Sequence, residues 1–163
     1  MVLRHSLLAL SRSDRVKHLV TTMPVSSSVV ARYVPGESTG AAVQVVDELV
    51  ASGRLTSLDF LGEDTLDRGR AEQTVTAYLD VLAALSARGL AGSAEVSVKL
   101  SAIGLSLPGD GEKIALDHAR RVCHAARNAG TTVTLDMEDH TLTDATLEVL
   151  RDLRGDYPDT GAV

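Results

Sequence analysis

The chain has 163 residues, of which 44% are apolar and 23% charged, and its formal net charge is −6. A globular composition without a long apolar run excludes a membrane-spanning helix and predicts a packed core. The acidic balance and the four aromatic residues (three Tyr and one Phe) argue against a nucleic-acid-binding protein. A single cysteine predicts a reducing, cytoplasmic location.

Residues 1–36 are predicted to form a helical N-terminal arm with a basic character. Five Lys or Arg residues against one Asp give this segment a net charge of +4, so the remaining residues sum to −10. Apolar side chains are scattered between the basic ones. Two interpretations stay open, a helix packed on its own domain or an amphipathic helix in peripheral contact with a membrane or a partner.

Three segments alternate between apolar and polar residues with period two, which predicts strands at residues 56–61, 95–100 and 132–137. Their starts lie 39 and 37 residues apart. This separation is the length of a strand followed by a crossover helix and is too long for a hairpin.

Helical periodicity fills the intervals between these strands. It predicts helices at residues 41–50, 68–88 and 112–128, and a fourth from about Thr143 through Leu153. Gly89 and Gly130 are expected to end the second and third helices, and Thr143 is expected to cap the fourth. Regular alternation of strands and helices predicts a parallel sheet.

Each predicted strand has one apolar face, while its other face carries small or charged residues, namely Ser57 and Asp59, Ser97 and Lys99, Thr134 and Asp136. This one-sided polarity differs from the central strands of a doubly wound sheet and is typical of the wall of a (β/α)₈ TIM-type barrel. The α/β pattern supplies three βα units, and a fourth strand begins near residue 161. Residues 37–163 are therefore predicted to be the N-terminal portion of a barrel, truncated near the start of strand four.

Asp59, Lys99 and Asp136 are expected to lie side by side if consecutive strands are neighbours. They stand near the carboxyl ends of the strands, where barrel enzymes keep their active sites. A lysine between two carboxylates stays cationic and can hold an anionic substrate group such as a carboxylate. The structural alternative is a salt-bridge cluster that only neutralises itself.

Two other functions stay open from the residues alone. Asp136 and Glu138 share a strand face and His140 follows them, which would suit a Mg²⁺, Mn²⁺ or Zn²⁺ site in a metal-dependent barrel lyase or hydrolase. The chain could also be a non-enzymatic half-barrel module that pairs with another half-barrel. Cys123, on a predicted amphipathic helix, is interpreted as a buried structural thiol.

Four segments resemble bacterial monofunctional proline dehydrogenases, namely residues 32–37, 58–63, 96–104 and 134–140. The resemblance extends from about Tyr33 to Leu153. It implies the N-terminal part of a distorted (β/α)₈ barrel that binds FAD, a flavoprotein of proline catabolism. Such enzymes oxidise L-proline to 1-pyrroline-5-carboxylate and pass the electrons to membrane quinone.

The resemblance also implies roles for individual residues. Lys99 matches a lysine that binds the proline carboxylate, Asp136 matches the active-site aspartate, and Met137 matches a position that contacts the flavin through its backbone. Asp59 and Glu63 are expected to support the site, and no metal is implied. Most flavin contacts and a pair of carboxylate-binding arginines would come from later strands, so the chain alone is expected to be inactive or to bind FAD weakly.

Overall fold

Helices and strands alternate along the chain in a computed structural model that describes residues 35–36 and 38–163. In chain order the elements are α1 (Thr39–Ala51), β1 (Thr56–Asp59), α2 (Arg68–Ala87), a 3₁₀ turn (Ala91–Ser93), β2 (Ala94–Lys99), α3 (Gly111–Ala129), β3 (Val133–Asp136), α4 (Thr143–Asp156) and β4 (Gly161–Ala162). The order confirms the predicted βα pattern. Residues 1–34, which form nearly all of the predicted arm, lie outside the described residues.

The helices begin and end at residues that satisfy their free backbone groups. Ser38 and Asp67 stand before α1 and α2, and their side chains accept hydrogen bonds from the amides of Ala41 and Arg70 at 3.3 and 2.8 Å. At the other end of α3, Gly130 adopts a left-handed conformation with φ +86°, as the sequence predicts.

The start of α4 differs from the prediction. Leu142, and not Thr143, occupies the N-cap position, and it makes no side-chain capping bond. The hydroxyl of Thr143 donates backwards to the carbonyl oxygen of Asp139 at 3.5 Å. The predicted Thr143 cap is therefore wrong, because the helix already includes Thr143 as its first residue.

The four strands form one parallel sheet in the order β1-β2-β3-β4. Consecutive strands are neighbours, as expected, and β4 begins at Gly161, where a fourth strand was predicted. The register places Asp59 opposite Ser97, and Lys99 opposite Asp136. The polar residues of all the first three strands consequently point to one face of the sheet, called here the inner face.

The outer face of the sheet is buried under the helices. Val96, Val98 and Leu135 have no exposed surface, and they belong to one apolar core with residues of all four helices. Complete burial of each such side chain contributes about 1.5–3 kcal/mol. Inner-face residues of β2 and β3 are only half-buried, so the predicted one-sided polarity is confirmed. No helix in the described part of the chain is long and apolar enough to cross a membrane.

The first strand is shorter than predicted and ends at Asp59. The amide of Phe60 donates to the hydroxyl of Tyr78 on α2 at 3.2 Å, and the chain leaves the sheet there. Phe60 and Leu61 are 41% and 72% exposed. The predicted strand over residues 56–61 is therefore wrong in its last two residues.

Candidate active site

Lys99 lies between two aspartates at the carboxyl ends of three neighbouring strands. Its Nζ is 2.6 Å from Oδ2 of Asp59 and 2.7 Å from Oδ2 of Asp136. The three side chains are 21%, 32% and 31% exposed, respectively. Strand register and alternation bring these groups together as the sequence predicts, because each residue ends its strand on the inner face.

The electrostatics of this cluster keep Lys99 charged. Partial burial lowers the pKa of Lys99, but hydrogen bonds and Coulomb attraction from Asp136 and Asp59 outweigh burial and hold the pKa above its usual value. The ammonium group has three N–H donors, of which two are used by the aspartates. The cluster therefore has one remaining donor and, with both carboxylates ionised, a net charge of −1.

Tyr78, on α2, supports the cluster from the buried side. It is 2% exposed, and its hydroxyl lies 2.7 Å from the carbonyl oxygen of Ser97 and 3.3 Å from Oδ1 of Asp59. The hydroxyl oxygen of Tyr78 also accepts from the Phe60 amide. Burial raises the pKa of Tyr78, so the hydroxyl keeps its proton as a donor to these oxygens. The helical periodicity of the sequence placed Tyr78 only in an apolar stripe and gave no signal of this contact.

Ser101 follows β2 and is completely buried. Its amide donates to Oε1 of Glu138 at 3.0 Å, and its hydroxyl contacts Oε2 of the same carboxylate. The hydroxyl oxygen also accepts from the amide of Asp64 at 2.9 Å, and the Ser101 carbonyl oxygen accepts from the amide of Thr65 at 3.2 Å. Sequence reasoning missed Ser101, although a serine inside the otherwise apolar segment 100–105 is a weak signal of a bonded polar group.

The structure does not bring the predicted metal ligands together. Asp136 pairs with Lys99, Glu138 binds Ser101, and the His140 side chain is 94% exposed. Among residues 35–36 and 38–163, no group of three His, Cys, Asp or Glu side chains is placed to hold a metal ion. The arrangement thus gives no support to the metal-dependent alternative.

Met137 and Glu63 lie at the edges of the site. The amide of Met137 donates to the carbonyl oxygen of Val163 at 2.7 Å, which extends the pairing between β3 and β4. Glu63 is exposed on the loop after β1 and takes part in none of the ion pairs found among the described residues. The flavin contact of Met137 and the supporting role of Glu63 stay predictions.

A second charged cluster joins α2 to α3 on the helical side of the molecule. Both oxygens of Glu72 accept from the guanidinium of Arg121, at 2.6 and 2.7 Å. His118 places Nε2 3.2 Å from Glu72, and its Nδ1 lies 2.7 Å from the carbonyl oxygen of Ile103. Elsewhere on α3, Cys123 is buried and burial raises its pKa, as expected for a structural thiol.

The model of the proline dehydrogenase family matches residues 42–160. The chain belongs to this family. It is 36% identical over 126 residues to the proline dehydrogenase of Deinococcus radiodurans. This match covers 77% of this chain and 40% of that protein. It is 30% identical over 162 residues to proline dehydrogenase 1 of Bacillus subtilis, covering 99% of this chain and 52% of that protein. The chain thus spans about half the length of these family members, or less.

Two solved structures show the same fold. Proline utilization A from Bdellovibrio bacteriovorus, crystallised after inactivation by N-propargylglycine, superposes with a TM-score of 0.74 at 24% identity, covering 84% of this chain and 17% of that one. Proline utilization A from Corynebacterium freiburgense superposes with a TM-score of 0.59 at 22% identity. The match covers 75% of this chain and 13% of that one. The family predicted from the sequence motifs and the barrel-type fold are both confirmed.

Proposed function

We propose that this chain carries the first part of the active site of an FAD-dependent proline dehydrogenase, which oxidises L-proline to 1-pyrroline-5-carboxylate. The observation that supports the proposal most strongly is the Asp59–Lys99–Asp136 cluster. It stands at the carboxyl ends of adjacent parallel strands, with N–O distances of 2.6 and 2.7 Å, in a chain that belongs to the proline dehydrogenase family. This edge of a βα barrel is where substrates bind.

The charge balance of the cluster suits a zwitterionic substrate. Free L-proline carries a carboxylate and a ring ammonium group at neutral pH. The remaining N–H donor of Lys99 would bind the carboxylate, while the uncompensated negative charge of Asp59 and Asp136 would attract the ammonium group. A substrate with a carboxylate but no ammonium group would bind Lys99 but would be repelled by the negative charge of Asp59 and Asp136.

Asp59 and Asp136 have the same task in this proposal. Each carboxylate accepts a hydrogen bond from Lys99 and so restricts where its ammonium group lies. Holding a charged group in place before the substrate arrives reduces the entropy lost on binding. Asp136, which lies on β3, would also line the space taken by the proline ring.

FAD is the cofactor in this proposal. We place FAD on the inner face, because its residues on β2 and β3 are half-exposed while the opposite face is buried under the helices. Asp136 and Met137 would lie beside such a ring. The Met137 amide already donates to Val163, which leaves its carbonyl oxygen and side chain for the contact. When bound, FAD would accept the hydride that leaves the ring carbon next to the proline nitrogen.

The electron acceptor and the location belong to the same proposal. We infer a cytoplasmic protein that passes electrons to membrane quinone, with peripheral contact at the inner face of the membrane. The net charge of +4 on residues 1–36 supports such a contact, since basic amphipathic segments bind anionic lipid surfaces.

Proline oxidation tests the proposed function in the purified full-length protein, which here means residues 1–163 together with the later strands of the barrel. L-proline should reduce an artificial dye acceptor in the presence of FAD, and the rate should fall when FAD is removed. Residues 1–163 alone should give no turnover, since the family members matched by the chain are about twice as long. A full-length, FAD-loaded protein that leaves L-proline unoxidised would contradict the proposal.

A further inference from the structure

Ser101 connects the segments that follow β1, β2 and β3. It lies in the turn after β2, and its hydroxyl and carbonyl oxygens accept from the amides of Asp64 and Thr65 in the loop after β1, at 2.9 and 3.2 Å. Its amide and hydroxyl bind both oxygens of Glu138, which follows β3. All of its polar groups are therefore used, and the residue is completely buried.

The same three segments carry the charged cluster. Lys99 stands two residues before Ser101, Asp136 stands two residues before Glu138, and Asp59 precedes the loop that reaches Ser101. Ser101 and Glu138 lie just beyond the ends of β2 and β3, and two residues of chain span at most about 7 Å. A hydrogen-bonded centre this close to the strand ends restricts how far Lys99 and the two aspartates can move relative to one another.

The backbone of Asp64 gives a second, independent observation. Its φ of +51° is the only positive value at a non-glycine residue in the described part of the chain. Left-handed backbone costs free energy in residues with a Cβ, and it persists where surrounding contacts hold it. In this conformation the Asp64 amide donates to the Ser101 hydroxyl. The loop after β1 is thus held in a less favoured shape that satisfies Ser101.

We propose that Ser101 is a positioning residue, which acts with Glu138 to set the spacing of Asp59, Lys99 and Asp136. The proposal rests on the proposed function for its kinetic consequences, since the cluster is taken there to bind proline. Glu138 has a structural partner for each oxygen, so its carboxylate orients the strand ends and does not contact the substrate. Neither Ser101 nor Glu138 is a catalytic residue in this account.

Ser101→Ala tests the proposal in the full-length protein. The variant keeps the backbone bonds to Glu138 and Thr65 but removes the acceptor for the Asp64 amide and a donor to Glu138. Lys99 is then held less firmly, and kcat/KM for L-proline should fall about tenfold, mainly through a higher KM. An unchanged KM in a folded Ser101→Ala variant would overturn the proposal, even if its Tm falls.

Thr146→Val is the matched control. Thr146 is also a completely buried hydroxyl residue, but among the described residues its Oγ1 has no hydrogen-bond partner, and it lies on α4. Removal of this hydroxyl should leave KM for proline unchanged. If Thr146→Val raises KM as much as Ser101→Ala does, the effect is a general consequence of altering buried hydroxyls and the proposal fails.

Glu138→Gln keeps the proposal testable if Ser101→Ala does not fold. Glutamine offers one acceptor oxygen where the carboxylate offers two, so the amide and the hydroxyl proton of Ser101 no longer each have an acceptor, while the shape of the side chain is kept. KM for proline should rise about threefold, less than in Ser101→Ala. A folded Glu138→Gln variant with the KM of the wild type would contradict the positioning role.

A readout without activity separates this proposal from the proposed function. In Ser101→Ala the Asp64 amide should lose protection against hydrogen exchange, and Lys99 should react at least about twofold faster with an amine-acylating ester, because its pKa falls when the aspartates hold it less well. Thr146→Val should show neither change. If the wild type does not oxidise proline but these two changes occur, the proposed function fails and the positioning role stands. If neither occurs, the positioning role fails.

Discussion

The cluster around Lys99 and the cluster around Glu72 are built from similar ion pairs, but they differ in which hydrogen-bonding groups have no partner. In the first cluster Lys99 lies between two aspartates, and in the second Glu72 lies between Arg121 and His118. The distances between the paired N and O atoms are 2.6 to 3.2 Å. The Glu72–Arg121 pair is 49% and 43% exposed on the helical side, whereas Lys99 is 21% exposed on the inner face.

The difference lies in the groups that have no partner. Glu72 is fully engaged by Arg121 and His118, and the other ring nitrogen of His118 contacts Ile103. That cluster joins α2 to α3 and offers little to a ligand. The Lys99 cluster keeps one donor and a net negative charge at the edge of the sheet where barrels bind substrates. Position and unused hydrogen-bonding capacity, more than the number of charges, distinguish the proposed binding cluster from the structural one.

The largest effect should follow removal of a carboxylate from the inner face. Asp136→Ala leaves Lys99 with one aspartate and removes a charged hydrogen bond, which is worth about 1.5–3 kcal/mol. In steady-state kinetics of the full-length protein, we expect kcat/KM for L-proline to fall about 100-fold. Asp152→Ala, which removes an exposed aspartate of α4, is the control and should match the wild type. Equal rates for the two variants would remove Asp136 from the site.

A smaller effect is expected at Tyr78, which stabilises the same cluster from within the core. Tyr78→Phe deletes the hydroxyl that contacts Ser97, Asp59 and Phe60. Urea denaturation should show a loss of about 1–2 kcal/mol in the free energy of unfolding, since three polar groups lose a partner. The activity should fall by less than in Asp136→Ala. A variant as stable as the wild type would mean that these contacts contribute nothing.

The helical cluster should tolerate change. Glu72→Gln removes the charge that Arg121 and His118 share on an exposed surface, and exposed ion pairs contribute about 0–1 kcal/mol. We expect a loss of stability within that range and an unchanged kcat/KM for proline. A kinetic loss comparable to that of Asp136→Ala would show that the two clusters are not distinct in function.

The smallest expected difference concerns pH. Hydrogen bonds from Arg121 lower the pKa of Glu72 from its ordinary value of 4.5, so its contribution to stability is present above pH 4.5 and is lost as the pH falls through the lowered pKa. The pKa of Lys99 is raised from 10.5, so its contribution is present below pH 10.5 and is lost only as the pH rises through the raised pKa. Between pH 3 and 7, the stability difference between wild type and Glu72→Gln should therefore shrink towards acid. A difference that grows towards acid would contradict this sign.

Much of the site follows from the sequence because parallel strands impose a regular geometry. The period of two places Asp59, Lys99 and Asp136 on one face of the sheet. The strand register then brings their side chains together. Ser101 and Tyr78 could not be predicted in the same way. Their contacts run to groups on other strands and loops, and they depend on the left-handed turn at Asp64 and on where β1 ends.

The same limit explains the errors at strand and helix ends. Phe60 continues the apolar alternation of β1 in the sequence, yet its amide is taken by Tyr78 and the strand stops one residue earlier. Thr143 has the chemistry of a cap, but α4 begins with it instead of after it. The ends of strands and helices depend on contacts between residues that are distant in the sequence, and a local sequence pattern does not contain these contacts.

The central claim is that Lys99 binds the carboxylate of proline, and a double-mutant cycle between Lys99→Met and the substrate tests it most directly. L-prolinamide, which lacks the carboxylate charge, is compared with L-proline in wild type, Lys99→Met and the control Lys113→Met, an exposed lysine of α3. Lys99→Met should lower kcat/KM about 100-fold for proline and less than about threefold for prolinamide, while Lys113→Met changes neither. An equal loss for both substrates in Lys99→Met would contradict the claim.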